Sequence, residues 1–88
     1  MKRYDPDNGP DAAKWLALSE AERIELATDV HRADRLDADA LVLHSALHVA
    51  VETQLAIREP ISVSHALARL RAQGLSRHDA VHAIASVL

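Results

Sequence analysis

Residues 38–58 read ADALVLHSALHVAVETQLAIR, and the spacing within that run decides the fold class. Positions 42, 43, 46, 47, 49, 50, 51, 56 and 57 are apolar, which covers more than half the circumference of a helix turning 100° per residue. A helix of that kind needs neighbours on several sides, so it belongs at the centre of a bundle. Asp37 stands where an N-cap is required, and Pro60 prevents continuation because it lacks an amide hydrogen and clashes with the preceding turn. The expectation is a helix over roughly 38–58.

Downstream, Ser62 or Ser64 is expected to open a helix through HALARLRAQ, closed by Gly74, where a left-handed cap is needed. Ser76, with Asp79 three residues on, begins a last helix running to Leu88. Upstream, Ser19-Glu20-Ala21-Glu22 has the form of a capping box, and the helix it opens is expected to end near Ala33. Pro10-Asp11 opens a short helix through Leu18. Asp5-Pro6 and Asn8-Gly9-Pro10 are turn material, so residues 1–10 are expected as an extended lead-in and 11–88 as the helical domain. No period-two alternation argues for a strand. The expected fold is all-α, a single small domain of four to five bundled helices with short loops.

Composition narrows the function classes. Eighty-eight residues supply one core. At this size folding buries only about 60–65% of the surface the unfolded chain exposes, so a ligand or partner has much to add to stability. Cysteine is absent, which excludes disulfides and thiolate metal sites. The charge balance is −3 with acids and bases interspersed, and there is no basic face of the kind nucleic acid requires. One Trp, one Tyr and no Phe leave no stacking platform for bases. The apolar run is broken by His44, Ser45 and His48, which argues against a membrane span, and MKRYDPDNGP has no apolar run behind it. The expected location is cytoplasmic, with neither nucleic acid nor membrane as partner.

The six histidines carry the chemistry. Side chains at i and i+4 lie one turn apart on the same helix face. His44, His48 and Glu52 therefore form one line on the central helix, and His78 and His82 form another on the last. Each line lies at the border of the apolar arc, where a neighbouring helix comes close. If the last helix packs beside the central one, four imidazoles and a carboxylate converge. Neutral imidazole nitrogen suits zinc, nickel or iron, and helix bundles hold metals by side chains on facing helices. Glu52 serves either as a ligand or as the acceptor for the second N–H of His48. His31 ends its helix and is a further candidate for the cluster, although nothing local pairs with it, whereas His65 lies in a first turn and is left out. Neither HExxH nor Glu-x-x-His occurs, there is no phosphate loop, and the sequence marks no enzyme.

Three segments, YDPDNGPDAAKWLALSEAERIELATDVHR, LHSALHVAVETQLAI and ALARLRAQGLSRHDAVHAIASVL, carry the patterns HxxxHxxxExQ and RHxAxHAIxSVL. In these the chain resembles a family of small helical bacterial proteins to which no activity is assigned. The resemblance implies a bacterial helical domain and no more. Two functional expectations follow from the residues. The first is a divalent transition metal bound through His44, His48, Glu52, His78 and His82, with no organic cofactor. The second is a metal-free interaction or dimerisation module, such as a homodimer, whose histidines are structural or pH-responsive.

Overall fold

The computed structural model describes residues 1–32, 34 and 36–87. They form α1 (Ala12–Ala17), α2 (Glu20–His31), α3 (Ala38–Ile57), α4 (Ile61–Ala72) and α5 (Arg77–Ala85), with no strand among the described residues. Each start has a local cause. The Asp11 side chain accepts from the Lys14 amide, Asp37 from Ala40, and Ser76 from Asp79. Ser19 and Glu22 make both bonds of a capping box: the Ser19 hydroxyl accepts from the Glu22 amide, and the Glu22 carboxylate accepts from the Ser19 amide.

The ends differ from expectation in instructive ways. α4 begins at Ile61, ahead of both serines, with Pro60 as its N-cap and no side-chain cap bond. Proline gives up no useful donor there, and its φ of −69° already suits a helix entry. α5 ends at Ala85, where the Ser86 amide donates to the His82 carbonyl and the Ser86 hydroxyl to the Ala83 carbonyl. The expected endpoints Ala33 and Leu88 lie outside the described residues. α4 closes as a Schellman turn: the Gly74 amide bonds to the Arg71 carbonyl and the Leu75 amide to the Leu70 carbonyl, with Gly74 at φ +100°. α3 closes on Arg58 at φ 60°, a left-handed position occupied without glycine.

α3 packs against each of the other four helices, as an apolar surface that wide requires. It is also long and apolar enough to cross a membrane by composition, with a mean hydropathy of 1.4. Two apolar clusters flank it. One joins Tyr4, Trp15, Ala27 and Val49; the other joins Val51, Val81, Ile84 and Ala85. Trp15 is fully buried and its indole N–H donates to Thr53 Oγ1 at 3.1 Å, which docks α1 on α3. Residues 1–10 form no helix but are not loose: Tyr4 and Pro6 are buried, and the Gly9 amide donates to the Asp5 carbonyl. The lead-in thereby delivers Tyr4 to the middle of α3.

Candidate metal centre

Helical geometry alone puts His44, His48 and Glu52 on one face of α3, and His78 and His82 on one face of α5. Packing of α5 on α3 brings the two lines together, and packing of α2 on α3 adds His31 from the end of α2. The result is a cluster of five imidazoles whose touching pairs have ring centroids 4.3 to 6.0 Å apart. Within it, His31, His48, His78 and His82 each present one ligand atom, all within 4.8 Å of one another. His44 stands beside them, its Nε2 3.1 Å from the Nε2 of His82. His65 is exposed and away from the cluster.

Hydrogen bonding on the outer nitrogens determines what the inner ones offer. His31 Nδ1 lies 2.8 Å from the Ala27 carbonyl, which only accepts, so Nδ1 carries the proton and Nε2 keeps its lone pair. His48 Nδ1 lies 3.0 Å from the Tyr4 hydroxyl. That hydroxyl donates its single proton to Glu52 Oε2. Its oxygen therefore accepts from His48 Nδ1, and again Nε2 keeps the lone pair. Among the described residues, the buried Nε2 atoms of His31, His48 and His78 have no hydrogen-bond partner. A buried polar atom left so costs about 1–3 kcal/mol. These three belong to histidines of the same close set, and a cation is one partner that satisfies such atoms together.

Glu52 has a different task. It is 1% exposed, and Arg77 grips it with two bonds, Nη1 to Oε2 at 2.8 Å and Nη2 to Oε1 at 2.7 Å. Arg77 Nη1 also donates to the Pro6 carbonyl at 2.8 Å. The guanidinium in turn lies under Gly9, where an added Cβ would meet it at 2.6 Å, and Gly9 sits at φ +74°. Of the five residues expected from sequence to hold a metal, His48, His78 and His82 belong to the mutually close set. Glu52 is turned to Arg77 and Tyr4, and His44 to His82.

Charge follows from this layout. Burial, reinforced by the four neighbouring histidines, pushes the His48 imidazole down to about 2. Burial and neighbouring imidazoles also lower His44 and His82. The hydrogen bond to Glu52 raises Arg77, so the guanidinium stays charged. Burial and the Glu52 charge hold the Tyr4 phenol above its ordinary range, which keeps the proton it donates. His44, His48 and His82 are thus held neutral, the form in which imidazole binds a metal.

Three participants were not assigned to the site from the sequence: His31, Tyr4 and Arg77. His31 had no partner at helical spacing. Arg77 is next to His78 in sequence, and no local spacing pairs it with Glu52. The one available signal was the lone tyrosine in an otherwise polar lead-in. Comparison with family models, curated proteins and solved structures finds no match to this chain.

Proposed function

We propose that this protein binds a divalent transition metal, zinc, nickel or iron, through His31, His48, His78 and His82. The observation that carries the reading is a set of four histidines, His31, His48, His78 and His82, whose ligand atoms lie within 4.8 Å of one another, three of them also carrying a buried Nε2 with no hydrogen-bond partner. Zinc–nitrogen bonds of about 2.0–2.1 Å place tetrahedral ligands roughly 3.4 Å apart, so closing on an ion draws these atoms in by up to about 1.4 Å. Softness agrees, since an all-imidazole set suits these metals and not calcium or magnesium. The Tyr4–Glu52–Arg77 chain supports it from behind, holding the tautomer of His48 as carboxylates do at metal-bound histidines.

Elemental analysis of untagged protein, purified without chelator or a nickel column, tests the reading. One ion per chain is expected, lost in His31→Ala and in His78→Ala and retained in His65→Ala. Absence of metal, with no uptake of added zinc, nickel or iron, overturns it and leaves a metal-free interaction module as the reading to pursue.

A further inference from the structure

The cluster is open on one side. A cleft of about 260 Å³ lies between α3 and α5, lined by His44, Leu47, His48, His82, Ala85 and Ser86. Two of these, His48 and His82, belong to the four-imidazole set, so the cleft reaches the place where the metal would sit. Leu47 and Ala85 make its apolar walls, and Ser86 stands exposed at its mouth. The volume is below that of pockets for drug-sized ligands and suits a molecule of a few heavy atoms.

Charge decides which molecule. Four neutral imidazoles bring no negative charge to a divalent ion. Glu52 is the buried carboxylate nearby, and Arg77 already neutralises it with two hydrogen bonds. Asp34 and Asp79, which act on His44 and His82, are exposed to solvent. A dication here carries its full charge into a half-enclosed, partly apolar site, which favours an anion. His44 supplies a donor for it. Its Nε2 and that of His82 lie 3.1 Å apart and share one proton. Once the His82 lone pair is committed to a metal, that proton stays on His44 Nε2 and turns to the cleft.

Resting on the metal reading above, we propose that the cleft binds a short-chain carboxylate. One carboxylate oxygen adds to the metal as a fifth ligand and accepts a hydrogen bond from His44 Nε2, while the alkyl chain lies along Leu47 and Ala85. The full chain loaded with cobalt(II) tests this by its visible absorption. Titration with butyrate is expected to give a saturable loss of intensity as a further ligand binds. Butyrate is expected to bind roughly tenfold tighter than acetate, for two additional methylenes buried. Ser86→Trp, which fills the mouth from an exposed position, is expected to abolish the response, and His44→Phe to weaken butyrate about tenfold. Cobalt bound with a spectrum indifferent to butyrate overturns the carboxylate proposal and leaves the metal reading standing; failure to take up cobalt ends both. Equal affinities for acetate and butyrate, or an undiminished response in Ser86→Trp, place the ligand elsewhere and also overturn it.

Discussion

Removing the Tyr4 hydroxyl separates the positioning chain from the cluster it serves. In Tyr4→Phe the ring remains, so its packing 5.5 Å from the Trp15 ring is unchanged. Two hydrogen bonds are lost, that from Tyr4 to Glu52 and that from His48 Nδ1 to the Tyr4 oxygen. A bond to a charged acceptor contributes about 1.5–3 kcal/mol, and a buried N–H left without an acceptor costs about 1–3 kcal/mol. Glu52 keeps both contacts to Arg77, so it is not stranded. The two losses share one atom and are not additive, which sets the expected destabilisation of the metal-free protein at about 2–4 kcal/mol. For a domain of this size that is a fall in Tm of roughly 10–25 °C. His48 also loses the contact that selects its tautomer, so zinc affinity is expected to fall about 10- to 100-fold. Thermal unfolding in EDTA reads the first number, and competition with a chromogenic chelator reads the second. Asp29→Ala, which breaks the exposed ion pair with Arg32, is the control and should change neither. Zinc bound as tightly by Tyr4→Phe as by the parent would refute the positioning role, even with stability reduced.

Other consequences are equally direct. His48 titrates near 2 when folded and at about 6.5 when unfolded, so between those values the unfolded state binds more protons and stability falls as pH falls. From pH 6.5 to 5.0 in EDTA, His48 alone should remove roughly 1–2 kcal/mol, with His44 and His82 adding in the same direction; denaturant melts that are flat across this range would contradict it. Glu52→Gln leaves Arg77, only 15% exposed at its side chain, without its counter-charge, and a loss of about 3–5 kcal/mol is expected in urea unfolding. A loss under about 1 kcal/mol would mean that the pair is solvated. Arg58→Gly relieves a left-handed residue at the end of α3 and should raise stability by about 1 kcal/mol, measured as a shift in the denaturation midpoint.

Much of the secondary structure was legible in the chain itself. The caps at Ser19, Asp37 and Ser76 and the Gly74 turn are contacts between residues a few positions apart, so their rules operate before any tertiary contact forms. The pairing of His44 with His48 and of His78 with His82 follows from helical pitch alone. Pro60 was read as a stop for α3, and the same rigid φ also makes it the start of α4, which displaced the serine caps expected there.

The composition of the site was settled at longer range. His31 joins because α2 crosses α3 at that height, and no spacing within α2 encodes the crossing. Glu52 was placed on the metal line by periodicity, and its pitch position was right. It faces Arg77 and Tyr4 instead because a buried carboxylate must find donors, and those donors come from 25 and 48 residues away. Local sequence determines which side chains share a helix face, since that depends on backbone geometry within a few residues. Which faces meet, and therefore which nitrogens are left without a partner, depends on how five helices and a ten-residue lead-in bury their apolar surface together.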